Sequence, residues 1–252
     1  SESLSTALYH QALSEERNML IFTGTGSSHC IGLGNCCAHL WAGEDLLLID
    51  CGEDTFSSPV LQQSIRQCQG NIYCIITHLH SDHVGSLATL CLYCKDTLHK
   101  TVRVCFPTNE ASALLSLMGV PQTHFIESTS FPLKLDNGLE IVPTKTSHVP
   151  WMNCYGYFLH IDKACYYYSG DANCLSMHVL TMLKDSTLTM LYQDVTLNGD
   201  KGGPHLTLDE LCSIVPDGPM RGRIVAMHFD SMECMKEAKR RHFCVAERKS
   251  VS

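Results

Sequence analysis

The segment His78-Leu79-His80-Ser81-Asp82-His83 constrains this chain more than any other. Three imidazoles and a carboxylate follow directly on the apolar run Ile72-Tyr73-Cys74-Ile75-Ile76-Thr77, which reads as a buried strand. In an extended segment, alternation sends His78 and His80 to one side. Asp82 and His83 are then expected on the turn into a helix that starts near Gly85. One short stretch therefore offers two ligands to one metal ion and two more to a second ion close by. Nitrogen and carboxylate donors without a thiolate suit Zn²⁺, and after it Mn²⁺, Co²⁺ or Fe. The alternative is a polar loop that happens to be His-rich. It is the weaker reading, because a chance match to H-x-H-x-D-H is rare even with 14 histidines in the chain.

The remainder of the sequence is compatible with such a site in a globular protein. At 252 residues, 44% hydrophobic and 17% charged, the chain can bury a sizeable core. No apolar run approaches transmembrane length, and Leu46-Leu47-Leu48-Ile49 reads as a buried strand. Ser1-Glu2-Ser3-Leu4 has no basic segment leading into an apolar one, so no secretory leader is expected. The 15 cysteines are odd in number and scattered, which fits a reducing cytosol and small apolar packing residues. Cys91-Leu92-Tyr93-Cys94 is a lone CxxC in a helical stretch. It is expected to pack, because a zinc knuckle needs a second pair. A net charge of −8 argues against holding long nucleic acid by its backbone. The basic cluster from Lys236 to Lys249 has helical spacing and reads as a solvated helix face.

Short strand-like runs alternate with helical patterns. Strands are expected at Met19–Thr23, Cys37–Ala42, Asp45–Asp50, Ile72–Thr77 and Val102–Phe106, and later at Leu139–Thr144, Tyr155–Ile161, Ala164–Ser169, Leu188–Gln193 and Arg223–Ala226. Helices are expected at Pro59–Cys68, Ser86–Cys94, Asn109–Met118, Met177–Leu183, Thr207–Ile214 and Ser231–Phe243. With no repeat, linker or boundary, residues 1–252 read as one α/β domain, an αββα sandwich with helices outside two packed sheets.

If the first motif holds metal, its partners must come from elsewhere in the chain. His148, Asp171 and His228 each stand at the carboxyl end of a strand-like run, where loops gather into a site. With these loops in order, the chain resembles the metallo-β-lactamase fold superfamily over nearly its whole length. Residue by residue, the resemblance implies that His78, His80 and His148 hold a first metal. Asp82, His83 and His228 would hold a second, and Asp171 would bridge them, giving two Zn²⁺ per chain, with Mn²⁺ or Co²⁺ as substitutes. Such a pair acidifies a shared water and offsets charge developing on a phosphoryl or carbonyl oxygen.

Further stretches resemble the ribonuclease Z-like branch. Ile21-Phe22-Thr23-Gly24-Thr25-Gly26-Ser27 is similar to its "LGTGS", and Leu48-Ile49-Asp50-Cys51-Gly52-Glu53 to its "FDCGEG". Tyr192-Gln193-Asp194-Val195-Thr196-Leu197 and Gly203-Pro204-His205-Leu206-Thr207 are similar to "HEATF" and "GHST", and His228-Phe229-Asp230-Ser231 to "HFS". The resemblance makes Asp194 and His205 a proton-transfer pair, with Asp82 beside them in the catalytic set. A phosphodiesterase needs such a donor because a departing alkoxide must be protonated. Read alone, His205 would be a surface histidine at the start of a helix.

Two departures bear on the substrate. The long basic arm of the tRNA-processing enzymes is missing, and Gln193 and Asp194 stand for His and Glu. A compact form without the arm resembles the anti-Pycsar cyclic-nucleotide phosphodiesterases of phages and their bacterial relatives. That resemblance implies a cytoplasmic homodimer that hydrolyses cyclic CMP, UMP, AMP and GMP and so counters cyclic-nucleotide immune signalling. The rival readings are a tRNA 3′-end endonuclease, a lactonase or thioesterase, and a nucleotide-sequestering binder. Gly24-Thr25-Gly26 lacks the full G-x-G-x-x-G spacing and is discounted as a dinucleotide turn. Trp151, three residues past His148, either packs its loop or stacks on a base.

Overall fold

The computed structural model describes residues 19–250. The N-terminal stretch read above for a leader lies outside them. One sheet contains β1 (Ile21–Gly24), β2 (Cys37–Ala42), β3 (Asp45–Ile49), β4 (Ile72–Ile75), β5 (Val102–Cys105) and β6 (Phe125–Ser128), side by side in that order. The other contains β7 (Leu133–Lys134), β8 (Glu140–Lys145), β9 (Tyr155–Ile161), β10 (Ala164–Tyr168), β11 (Met190–Asp194), β12 (Ile224–Met227) and β13 (Cys244–Val245), also in sequential order. The helices are α1 (Pro59–Gln67), α2 (Ser81–Val84), α3 (Leu87–Leu98), α4 (Glu110–Leu117), α5 (Met177–Lys184), α6 (Leu208–Ile214) and α7 (Met232–Arg240).

Every residue of β3 and of β4 is buried, because one face meets the second sheet and the other meets helices. That double burial is why these strands read as unbroken apolar runs rather than alternating ones. One core cluster joins Leu40, Leu46 and Leu48 of the first sheet to Tyr157, Tyr168 and Tyr192 of the second. It continues outward to Leu61 and Ile65 of α1 and Leu90 and Cys94 of α3. A second cluster packs Leu191 and Ile224 against Val179, Leu183, Leu211 and Cys234 of α5, α6 and α7. Helix, sheet, sheet and helix therefore stack in that order, which is the expected αββα arrangement.

Local chemistry sets the element ends. Pro59 stands in the first turn of α1, where its missing N–H costs nothing. Thr207 and Glu210 close a capping box on α6. The strand ahead of the histidine motif stops at Ile75, two residues earlier than its composition indicated. Asp82 and His83 lie inside α2 rather than on a turn before a helix. Strands β6, β7 and β13 were not expected from sequence; β7 and β13 are two residues each. The cysteines are free thiols, most of them buried. Cys91 and Cys94 pack inside α3, and burial pushes the Cys94 thiol up to about 12, which keeps it protonated. No helix among the described residues is long and apolar enough to cross a membrane.

β3 runs parallel to β4, and β10, β11 and β12 run parallel to one another. Their carboxyl ends carry Asp50, the histidine motif, Asp171, Asp194 and His228 to one edge of the sandwich. A crevice at the carboxyl ends of parallel strands is where α/β sheets place ligand sites.

Candidate metal centre

Seven side chains singled out in the sequence converge there. His78 Nε2 lies 2.9 Å from His80 Nδ1, and His148 Nε2 lies 3.3 Å from the same atom. Asp171 Oδ2 is 3.6 Å from both His78 Nε2 and His148 Nε2. The other oxygen, Oδ1, faces a second group, 3.2 Å from His83 Nε2 and 3.3 Å from His228 Nε2. Asp82 Oδ2 completes that group at 3.3 Å from His83 and 3.4 Å from His228. The two oxygens of one buried carboxylate thus face two separate ligand triads.

The donor set fits metal ions on geometric grounds. Tetrahedral coordination with Zn–N bonds of about 2.0–2.1 Å places ligand atoms roughly 3.3 Å apart. The separations within the second triad fall close to that edge length. In addition, His83 Nε2 and Asp171 Oδ1 are buried without a hydrogen-bond partner. Buried polar atoms are nearly always satisfied, so orphans that point into one small space are what a cation would engage.

Neighbouring groups fix the orientation of three of the imidazoles. His83 Nδ1–H donates to Asp50 Oδ2 at 2.8 Å, which leaves Nε2 with a lone pair aimed inward. His148 Nδ1–H donates to the Pro204 carbonyl at 2.8 Å with the same result. His78 Nδ1 meets the Thr77 hydroxyl at 3.1 Å. Thr77 is itself held to Asp50 through its backbone N–H and its hydroxyl, both at 2.7 Å. Asp50 was quoted in the sequence only as part of a stretch of similarity, and its role was missed. A carboxylate closing the apolar run Leu46–Ile49, two residues before a glycine, was the available signal. Gly52 itself is required, since a Cβ there would lie 2.0 Å from the Asp82 carbonyl oxygen.

Asp194 and His205 meet as the sequence implied, with Nδ1 donating to Asp194 Oδ2 at 2.6 Å. The Ala172 N–H donates to the same oxygen at 3.0 Å, which holds the carboxylate as an acceptor. Asp194 Oδ1 lies 3.3 Å from His228 Nδ1, poorly aligned for a hydrogen bond. Asp194, His205, His228 and Asp171 also lie close enough to form a ligand group of their own. The short Asp194–His205 bond engages the facing atoms of that pair and favours a hydrogen-bonded dyad. Asp230, another residue the sequence did not single out for a role, anchors the start of the His205 loop. Its Oδ2 accepts from Thr196 Oγ1 at 2.8 Å and from the Asn198 N–H at 2.8 Å.

Electrostatics divides the histidines. Burial and the neighbouring imidazoles, His83 first, push His78 well below the usual imidazole value. His80 is lowered by burial and by His148. Burial also opposes charge on His83, but Asp171 and Asp50 outweigh it and hold His83 well above its ordinary value. His228 follows the same logic through Asp171 and Asp194. His205 is raised as well, with Asp194 overcoming the cost of burial. A cleft of ≈ 680 Å³ opens beside the centre, with His148 on its wall and Trp151, Lys145 and Asn173 among its lining.

A family model described as Anti-Pycsar protein Apyc1 matches residues 18–251. The Anti-Pycsar protein Apyc1 of Paenibacillus sp. (strain J14) is 26% identical over 232 residues, covering 85% of this chain and 91% of that protein. Among solved structures, the metallo-β-lactamase fold protein YhfI from Bacillus subtilis aligns with a TM-score of 0.68 at 17% identity, over 92% of this chain and 97% of its own. The short form of human tRNase Z aligns with a TM-score of 0.64 at 18% identity, over 92% and 98%. The class is thus a metallo-β-lactamase fold protein whose clustered histidines and aspartates could hold metal ions. Within that class, the chain belongs to the anti-Pycsar Apyc1 family.

Proposed function

We propose that this protein is a dinuclear zinc phosphodiesterase that opens cyclic mononucleotides to linear ones, and that it thereby counters cyclic-nucleotide immune signalling. The observation that carries this reading is the Asp194–His205 dyad, 2.6 Å between Oδ2 and Nδ1, set against the paired ligand triads. When bound, a metal pair supplies an acidified water and neutralises charge on the non-bridging phosphoryl oxygens. His78, His80 and His148 would hold one ion, Asp82, His83 and His228 the other, and Asp171 both. Mn²⁺ or Co²⁺ suits the same donors.

The chain's own groups do the rest. Asp194 fixes the His205 tautomer by accepting from Nδ1, so the proton for transfer sits on Nε2. A quarter of the His205 side chain is exposed, which lets that nitrogen meet a substrate. His205 protonates the departing ribose oxygen. A lactone or thioester does not require that donor to the same degree, and a pre-tRNA substrate calls for a basic arm that the sequence does not contain. The many free thiols favour a reducing cytoplasm. A homodimer would enclose the open side of the site and exclude water from a small substrate.

The test is a panel of cyclic CMP, UMP, AMP and GMP, a cyclic dinucleotide, a lactone and pre-tRNA, offered to the zinc-reconstituted protein. Turnover confined to cyclic mononucleotides is expected. Cleavage of pre-tRNA or lactone in their place would overturn the reading.

A further inference from the structure

Trp151 stands at the cleft beside the metal centre with 76% of its surface in water. A large indole left that exposed is unusual for a residue whose task is packing. Its loop is nonetheless held in place. The Thr146 N–H donates to the Cys154 carbonyl at 3.0 Å, and the Asn173 N–H donates to the Ser147 carbonyl at 2.7 Å. Asn153 Nδ2 donates to Glu110 Oε2 at 2.9 Å. The ring is therefore carried on a fixed ledge, three residues from the ligand His148.

The cleft chemistry matches one kind of molecule. Its wall includes His148, so a phosphoryl group engaged at the metal centre would project its substituents along it. Gly202 and Gly203 contribute wall without side chains, and Lys145 supplies positive charge in a chain of net charge −8. A volume of ≈ 680 Å³ is within the range of small-ligand sites and holds a nucleotide. A nucleotide is an anion joined to a flat ring, which requires both a cationic end and an aromatic face. We propose that this cleft is the base subsite of the enzyme and that the Trp151 indole is its stacking platform, a reading that rests on the phosphodiesterase function proposed above. Every nucleobase has a π-face, so stacking admits all of them and grades them by ring size, purines ahead of pyrimidines.

The experiment uses indole emission, because the chain has two tryptophans and Trp41 lies away from the site on β2. In the Trp41→Phe variant of the metal-loaded protein, Trp151 alone reports. GMP should quench its emission saturably, UMP less, and ribose 5-phosphate not at all. Trp151→Ala should raise KM for cyclic GMP roughly 5- to 150-fold, the span of a base–aromatic stack, and Trp151→Phe should restore most of it. Equal quenching by ribose 5-phosphate would overturn the subsite, since phosphate alone would then account for the signal. So would emission indifferent to GMP in an enzyme that turns over cyclic GMP, or blue-shifted emission showing the ring covered by a second copy. Base-dependent quenching without any cyclic-nucleotide hydrolysis would leave the subsite standing and sink the phosphodiesterase reading instead.

Discussion

The two halves of the centre are built from different materials. In the half formed by Asp82, His83 and His228, His83 donates to the Asp50 carboxylate at 2.8 Å, and the Asp194 carboxylate lies 3.3 Å from His228 without a hydrogen bond between them. In the half formed by His78, His80 and His148, the backing groups are a threonine hydroxyl at 3.1 Å and a backbone carbonyl at 2.8 Å. Negative charge is thus concentrated at the buried half, while uncharged groups back the histidines of the half that borders the cleft. Carboxylate backing raises ligand basicity and fixes ring orientation. On the dinuclear reading proposed above, the carboxylate-backed half would retain its ion and the cleft-side half would hold one more loosely.

The largest expected effect comes from the one group the halves share. Asp171→Ala should abolish turnover and leave fewer than two ions bound, as measured by elemental analysis after zinc reconstitution. Two retained equivalents in that variant would mean that the halves are independent. Next is His205→Ala, which should keep both ions yet lower the rate on cyclic nucleotides by roughly 10²–10⁴-fold. The deficit should shrink on a p-nitrophenyl phosphodiester, whose leaving group scarcely needs a proton, and equal losses on both substrates would reduce His205 to a positioning residue. Asp50→Asn tests the contrast between halves directly. It should weaken the tighter of two zinc-binding steps by about 10- to 100-fold in calorimetry while leaving the weaker step in place. Weakening of both steps alike would erase the distinction.

The smallest effect concerns a histidine with no carboxylate at all. His39 is buried on β2 with Nε2 3.0 Å from Ser64 Oγ, and burial lowers it to about 4. The fold therefore favours its neutral form. That stability is fully present above the ordinary imidazole value of about 6.5 and is lost as pH falls from there towards about 4. Between those limits the unfolded chain binds a proton that the native one does not, which costs about 1.4 kcal/mol per pH unit. Denaturant melts of the apo protein from pH 7 to 4 should show that slope, and His39→Gln should flatten it. An unaltered slope would assign the acid sensitivity to the metal ligands instead.

The αββα layering and the convergence of the seven candidate ligands were legible in the sequence because they rest largely on local rules. Apolar runs such as Leu46–Ile49 mark doubly buried strands, and the histidine motif, Asp171 and His228 each follow a strand that is largely apolar. The dyad of Asp194 and His205 was legible only through similarity, since eleven residues and a loop separate the pair. Other features were set by tertiary structure alone. Asp50 adopts a left-handed backbone at φ 65° and reaches His83 across 33 positions, a pairing that no local pattern encodes. The Pro204 carbonyl that orients His148 is a backbone group and carries no sequence signature. Strand β13 spans two residues, too few for periodicity to register, and exists because β12 offers it an edge. Sequence fixes what depends on neighbours along the chain, while the assignment of one buried group to support another depends on which loops the two sheets bring to a common edge.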